Sequence, residues 1–380
     1  MRFTVNRDVF SEAVSFAVKL LPQRPTQPLL SGALIEAEGD ALTISSFDYE
    51  VSARTSVTAE ITEAGRALVS GRLLSEIAQR LPHSDVEVSQ TDNRVEVRCG
   101  SASFSLPAMP VEEYPQIPRI DTVSGSVPAE KFADAIAQVS LAASKDDVTP
   151  VITGVQFEVS ENSLTLTATD RYRVATRRID WEDQAGGEQL TALVPSKIVT
   201  EVGKTFANDG QVRVSIVKDG ERELIAFTGG SKTVTSLLIK GNYPPVGRLF
   251  PTSVDNYAVV STSELVEAVG RVGLVLEREA ALRFTFEEGT VTLEAAGTES
   301  AQAVETVDAH LFGEDMVVSL KPQFLLDGLR STHAGFARIA FTRTDNPGKP
   351  GPVLITSQRS KDEADEESFR YLLQPNLLLR

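Results

Sequence analysis

The chain has a single cysteine, Cys99, so no disulfide can form within it, and a reducing compartment is expected. Cys99 follows Val95 and Val97 at every second position, which is the pattern of a buried strand and not of a reactive thiol. The three histidines, His83, His310 and His333, lie too far apart in the sequence to suggest a metal site or a catalytic triad. There is no apolar run of about 18 residues, which argues against a spanning helix. The opening MRFTVNRDVF reads as a strand and then a helix, so no signal peptide, no membrane partner and a cytoplasmic location are expected. The patterns GxxxxGK[ST], HExxH and GxSxG are absent. Gly229-Gly230-Ser231-Lys232-Thr233 ends like a phosphate loop but lacks the upstream glycine and a following helix. Asp146-Asp147 sits in a turn after a helix, where solvation accounts for it. Catalytic residues, metal and cofactors are therefore all predicted absent, and the chain reads as a non-enzyme. Positive charge is also short: 37 Lys and Arg against 53 Asp and Glu give a net −16. That balance opposes nucleic-acid contact over the whole surface, because phosphate affinity comes from Lys and Arg, but it does not exclude one basic face.

What the sequence does have is a message stated three times. Helical apolar spacing at Phe10, Ala13, Val14 returns as Phe132, Ala135, Ile136 and as Leu265, Ala268, Val269. A strand-then-helix signal runs Ala67–Leu74, and it recurs from Ala192 to Val199 and from Met316 to Gln323. Arg72 and Lys197 are 125 residues apart, and Lys197 and Lys321 are 124 apart. A period this long means a tandem array of whole domains. Helices are predicted at Asp8–Leu21, Ala129–Ala143 and Ser263–Glu277, with second helices at Arg72–Arg80, Lys197–Thr205 and Pro322–Arg330. Period-two strands fill the rest, with hairpin turns at Thr91-Asp92-Asn93 and Lys218-Asp219-Gly220. Runs of strands with segregated helices indicate an α+β class. Proline-bearing stretches at Tyr114–Pro118 and Tyr243-Pro244-Pro245 mark the boundaries, giving domains at 1–120, 124–249 and 252–380. An insertion is expected near Thr344–Pro352, and the acidic run Asp362–Glu367 reads as a solvated loop and not a metal site.

The second helix of every repeat starts at a basic residue, Arg72, Lys197 or Lys321, and carries another near its end, Arg80, Lys204 or Arg330. Helix dipoles explain the C-terminal set. They do not explain the N-terminal set, where a cation is mildly unfavourable. A shared electrostatic task for these helices follows.

Several segments together resemble the bacterial DNA polymerase III beta subunit, the sliding clamp, over the full chain. They are Arg24-Pro25-Thr26 with Pro28-Leu29-Leu30, Thr169-Asp170-Arg171-Tyr172-Arg173-Val174, Tyr243-Pro244 with Arg248-Leu249-Phe250-Pro251, and Tyr371-Leu372-Leu373-Gln374-Pro375. Ser46–Arg54 and Phe324–Leu329 look most like actinobacterial members. The resemblance implies three tandem clamp domains, each with two helices packed on antiparallel sheets. It also implies a head-to-tail homodimer closing into a six-domain ring around double-stranded DNA. DNA would be held topologically by phosphate contacts that carry no sequence information, with Arg24, Arg72, Arg80, Lys197, Lys204, Lys321 and Arg330 as candidates. The family's second site is a hydrophobic pocket for peptide motifs of the DNA polymerase III alpha subunit, the clamp loader and other clamp-binding proteins. Carried over by position, it comprises Ile152, Thr169, Arg171, Tyr172, Arg173, Val174, Pro244, Arg248, Leu249, Leu373, Gln374, Pro375 and Asn376. Apolar walls would take Leu and Phe anchors, with Arg173 and Arg248 orienting the peptide backbone.

The sequence departs from the family at the tail and the linker. Gln374 stands where Met is common, Asn376 and Leu377 replace an apolar residue and Arg, and Pro245-Val246-Gly247 replaces a more basic, aromatic stretch. These changes motivate an alternative expectation: a specialised clamp paralogue with an altered pocket, resistant to peptide-like inhibitors.

Overall fold

The structure, a computed structural model, describes residues 1–377 apart from 219, 221, 297–300 and 345–349. Repeat 1 opens with β1 (Arg2–Val5) and α1 (Arg7–Val18). Strands β2 (Gly32–Glu38), β3 (Ala41–Phe47), β4 (Val51–Thr58), β5 (Glu60–Glu63) and β6 (Gly65–Ser70) follow. Helix α2 (Gly71–Ala78) and strands β7 (Val86–Thr91), β8 (Arg94–Cys99) and β9 (Ala102–Pro107) close it. Repeat 2 uses the same order: β10 (Gly125–Pro128), α3 (Ala129–Ser140), β11 (Gly154–Ser160), β12 (Ser163–Thr169), β13 (Arg173–Asp180), β14 (Glu182–Asp183) and β15 (Leu190–Pro195). It ends with α4 (Ser196–Phe206), β16 (Gln211–Lys218), β17 (Glu223–Gly229) and β18 (Lys232–Leu237). Repeat 3 runs β19 (Tyr257–Ser261), α5 (Thr262–Val272), β20 (Leu282–Glu287), β21 (Thr290–Ala296), β22 (Gln302–Phe312) and β23 (Met316–Leu320). Its second half is α6 (Pro322–Ser331), β24 (Phe336–Phe341), β25 (Val353–Gln358) and β26 (Glu366–Leu373).

The helices form where the apolar spacing places them and bury the expected faces: Phe10, Ala13 and Val14 on α1, Phe132, Ala135 and Ile136 on α3, and Leu265, Ala268 and Val269 on α5. The Asn6 side chain caps α1, accepting from the amides of Asp8 and Val9. The α1 and α5 ends come earlier than expected, at Val18 and Val272, and α5 passes into a 3₁₀ turn at Gly273–Val275. The β7–β8 hairpin turns on Asp92 (φ 50°) and Asn93, as the sequence predicts. Of the second predicted hairpin turn, Asp219 lies outside the described residues; Gly220 has φ 96°. Most of the predicted insertion, 345–349, also lies outside them, as do 378–380. Cys99 is buried, its thiol directed at the carbonyls of Pro82 and Ser84 at 3.2 and 3.3 Å.

The chain forms two units, one of Met1–Glu130, Glu182–Gly187 and Thr205–Leu238, the other of Lys131–Trp181, Glu188–Lys204 and Ile239–Arg380. The cause is strand pairing across repeats. In the first unit β4 of repeat 1 pairs antiparallel with β18 of repeat 2, giving a nine-stranded sheet beside a five-stranded one. In the second unit β13 of repeat 2 pairs with β26 of repeat 3 inside a twelve-stranded sheet. Repeat 2 therefore lends one half to each unit.

One main-chain device recurs after each repeat. The segment following the last strand returns to the strand before the second helix: Met109 N to Leu68 O, Ile239 N to Leu193 O, and Asn376 N to Ser319 O, each at 2.8 Å. Leu68, Leu193 and Ser319 stand at equivalent positions, two residues before the helix cap. The same alignment corrects the third basic position. Arg72 and Lys197 are the second residues of α2 and α4, whereas Lys321 is the N-cap of α6, with Pro322 as its first residue.

Candidate functional site

The candidate cleft lies within the second unit, around the turn between β12 and β13. Asp170 builds that turn, its Oδ1 accepting from the amides of Tyr172 and Arg173, both at 3.1 Å. Arg171 takes φ 78°, a left-handed conformation that a non-glycine residue adopts only when its surroundings hold it there. Thr169 Oγ1 supplies part of that hold, donating to Arg173 O at 2.7 Å and accepting from the Arg171 amide at 3.2 Å. Arg171 also donates to Thr149 Oγ1. From the other side, Gln374 N donates to Tyr172 O at 2.9 Å, carrying the β13–β26 ladder one step past the strand.

These elements enclose a cleft of about 380 Å³ lined by Thr149, Val151, Ile152, Thr169, Arg171, Tyr172, Arg173, Val174, Asn242, Pro244, Val246, Leu249, Pro352, Leu372 and Gln374. The volume is in the range of sites for small ligands and side-chain anchors, roughly 300–1,000 Å³. Its walls are mainly apolar, and Tyr172 (61% exposed) and Leu249 (55%) stand open to solvent at them. Exposed large apolar groups around a concavity are the mark of a surface that expects a partner. A larger groove shares Thr149, Ile152, Arg171, Tyr172 and Arg173 with the cleft and runs on to Lys197, Phe324 and Asp327.

Most residues expected in the pocket meet there: Ile152, Thr169, Arg171, Tyr172, Arg173, Val174, Pro244, Leu249 and Gln374 all line it. Four do not. Leu373 is fully buried, and its neighbour Leu372 lines the cleft instead, because successive strand residues face opposite sides. Pro375 is buried, Asn376 is bridged to Ser319, and Arg248 is exposed outside the lining. Thr149, Val151, Asn242, Val246, Leu372 and Pro352 complete the walls without having been foreseen. Val151 beside Ile152 was available as the apolar neighbour of an expected residue, and Val246 lies two residues after the expected Pro244.

Arg173, expected to orient a peptide backbone, lines the cleft with most of its donors turned inward. Its Nε donates to Asp170 Oδ2 (3.0 Å), Nη1 to Asp327 Oδ2 (2.5 Å) and to the Tyr371 hydroxyl (3.1 Å), and Nη2 to Leu141 O (2.9 Å). Four of the five N–H donors of a guanidinium are thus engaged inside the protein. Burial works against its charge, but Tyr371, Asp327 and Asp170 outweigh burial and hold the group more firmly protonated than an ordinary arginine. Burial likewise pushes the Tyr371 phenol well above its usual range, with Arg173 opposing.

The candidate DNA contacts are distributed as follows. In the first unit Arg24, Arg72 and Arg80 are exposed, and Arg24 and Arg72 share a cleft with Ser31, Ser75 and Glu76. Arg72 pairs with Glu76 one turn on, at 3.0 Å. In the second unit Lys197, Lys204 and Arg330 are exposed on α4 and α6. Lys321 differs: it is half-buried, pairs with Glu279, and lies 5.4 Å from the Phe324 ring centre. That hydrogen bond holds the Glu279 carboxyl below its usual range. The acidic run is not wholly solvated either, since Asp365 pairs with Arg338 at 3.1 Å and Glu366 begins β26. Among the described residues no cluster of His, Cys, Asp or Glu could hold a metal, and no helix is long and apolar enough to cross a membrane.

Comparison with known proteins agrees with this geometry. Residues 1–118 match the N-terminal domain of the DNA polymerase III beta subunit, residues 126–245 its central domain and residues 247–363 its C-terminal domain. The beta sliding clamp of Streptomyces coelicolor is 44% identical, over 99% of both chains. The beta sliding clamp homolog GriR of Streptomyces muensis is 37% identical, again over 99% of both. The higher identity to the clamp favours the main reading over a specialised paralogue. The crystal structure of the Bacillus subtilis DNA polymerase sliding clamp superposes with a TM-score of 0.90 at 25% identity, covering all of both chains. The chain therefore belongs to the DNA polymerase III beta subunit family, the bacterial sliding clamps.

Proposed function

We propose that this sliding clamp works as a non-catalytic processivity factor in the cytoplasm, encircling double-stranded DNA as a head-to-tail homodimer of three-domain chains with domains at 1–120, 124–249 and 252–380. Arg24, Arg72, Arg80, Lys197, Lys204 and Arg330 face phosphates, and Lys321, held by Glu279, contributes less. The apolar cleft around Ile152, Val174, Leu249 and Leu372 receives peptide motifs of the polymerase III alpha subunit, the clamp loader and other clamp-binding proteins, and is where peptide-like inhibitors would compete.

The observation that carries this reading is the cleft itself: apolar walls, open aromatic and aliphatic side chains at them, and a rigid hydrogen-bonded turn beneath. The test is titration of a fluorescently labelled hexapeptide with Leu and Phe anchors against the full chain, with Leu249→Asp as control. Saturable binding that the control loses supports the reading. A folded wild-type chain that binds no peptide overturns it.

A further inference from the structure

Arg173 lies beneath the cleft and touches four separate elements. Through Asp170 it grips the β12–β13 turn, and through Leu141 O it grips the end of α3. Through Asp327 it grips α6, and through the Tyr371 hydroxyl it grips β26. Its guanidinium carbon also lies 4.4 Å from the centre of the Phe324 ring. Phe324 in turn stacks on Tyr172 at 6.1 Å, and Tyr172 is a wall of the cleft. Tyr371 extends the chain of contacts by donating to Phe324 O at 2.7 Å. Its ring is packed so tightly on Gly328 that a Cβ there would come within 2.6 Å.

Asp327 and Tyr371 do not line the cleft, yet they hold the residue that holds its floor. The other bonds on the β12–β13 turn are local or lie along its upper side, and among the described residues Arg173 alone ties it to α6 by a hydrogen bond, with Tyr172 above stacked on Phe324. We propose that Arg173 is a positioning residue whose buried contacts to Asp327 and Tyr371 set the shape of the cleft floor, so that these two remote residues control affinity for the peptide. The inference rests on the cleft being a peptide site.

The mechanism is pre-organisation. A turn already locked in its binding shape loses less conformational freedom when a ligand arrives. A guanidinium held by two carboxylates, a phenol and a carbonyl has one geometry, whereas removal of one partner leaves the remaining charges free to rearrange.

The test uses the full chain and the labelled hexapeptide, well below the melting temperature. Asp327→Asn is expected to weaken binding about tenfold, and Tyr371→Phe, which keeps the ring on Gly328, about threefold. Asp327→Glu, which keeps the charge, is expected to bind more tightly than Asp327→Asn. Hydrogen exchange at the Tyr172 and Arg173 amides should quicken in both weakened variants. Should Asp327→Asn not fold, Tyr371→Phe decides alone. Folded variants that bind within twofold of wild type, as a residue serving only stability would give, overturn the proposal. If the wild-type chain binds no peptide, the peptide-site reading has failed. The exchange rates then decide the positioning role: unchanged rates at the turn overturn it, and faster rates support it.

Discussion

Repeats 1 and 2 make the same turn at the end of the same strand, and in the second that turn borders the apolar cleft. In repeat 1 Asp48 Oδ1 accepts from the amides of Glu50 and Val51, and Tyr49 has φ 75°. In repeat 2 Asp170 does the same for Tyr172 and Arg173, and Arg171 has φ 78°. The frames match, and the fillings differ. The segment after repeat 1 brings Tyr114 onto the turn, where its hydroxyl accepts from Phe47 N at 2.7 Å, and it packs there with Leu34, Phe47 and Leu68. Repeat 2 has Thr169 in place of Phe47; the segment after it brings Tyr243 to the matching place, its hydroxyl donating to Thr167 O at 3.5 Å, while Phe250 packs behind the cleft walls Val174 and Leu372. Space is left between Ile152 and Leu249. At the third residue after the aspartate, repeat 1 has Val51 and repeat 2 has Arg173. The tyrosine is kept in both repeats, so the difference lies in Thr169 standing where repeat 1 has Phe47 and in a turn tied down from below by Arg173.

The comparison can be broken most forcefully at Arg173. Arg173→Ala leaves Asp170 and Asp327 without their cation, which should cost about 3–5 kcal/mol. Val51→Ala, at the matching place, should cost about 1 kcal/mol, since only part of a half-buried side chain is lost. Denaturant unfolding of the two variants measures the contrast. Next in size is Tyr114→Ala, which leaves a hole in repeat 1 at a cost of about 3–4 kcal/mol. An apolar probe such as benzene should then raise the melting temperature of this variant and leave wild type unmoved. Leu249→Asp sharpens the comparison from the other side. It should lower peptide affinity at least about tenfold while the melting temperature stays near wild type, because the side chain is already half in water.

The smallest effect concerns the Tyr114 hydroxyl. Tyr114→Phe should cost about 1–2 kcal/mol near neutral pH through the unmet Phe47 amide. Burial pushes the Tyr114 phenol up to about 12 from its ordinary 10. A phenol raised by folding adds stability that is complete below pH 10 and is lost as pH rises towards 12. Melting curves of wild type and Tyr114→Phe should therefore converge over that interval.

Much of this was legible in the chain before folding, and the illegible part has physical causes. Helical spacing at Phe10, Phe132 and Leu265 and the Asp92-Asn93 turn are local signals, so they could be read locally. Tyr371-Leu372-Leu373 could not be assigned to faces, because a strand buried on both sides shows no alternation. Leu373 was carried over by position from the resemblance, and this strand's pattern offered nothing to correct it to Leu372, which lines the cleft. Two partners of Arg173, Asp327 and Tyr371, lie 154 and 198 residues away, and no spacing rule reaches so far. The resemblance identified Arg173 as a pocket residue, but only the fold shows its donors turned inward. Lys321 misled for a smaller reason. Matching cation to cation slipped the third repeat by two residues, since Gln323 is the true counterpart of Arg72 and Lys197, and only the cap geometry at Pro322 reveals the slip.

The returning main-chain bonds at Leu68, Leu193 and Ser319 have a consequence for how such a molecule can change over generations. Each of the three segments is docked by an amide and a carbonyl, groups that nearly every residue supplies. Attachment at these three bonds thus places little demand on side chains, which leaves the neighbouring positions open to substitution. Tyr114, Pro244 with Leu249, and Gln374 all belong to such segments. New ligand preferences can be tried there, one substitution at a time, without dismantling the array that carries them.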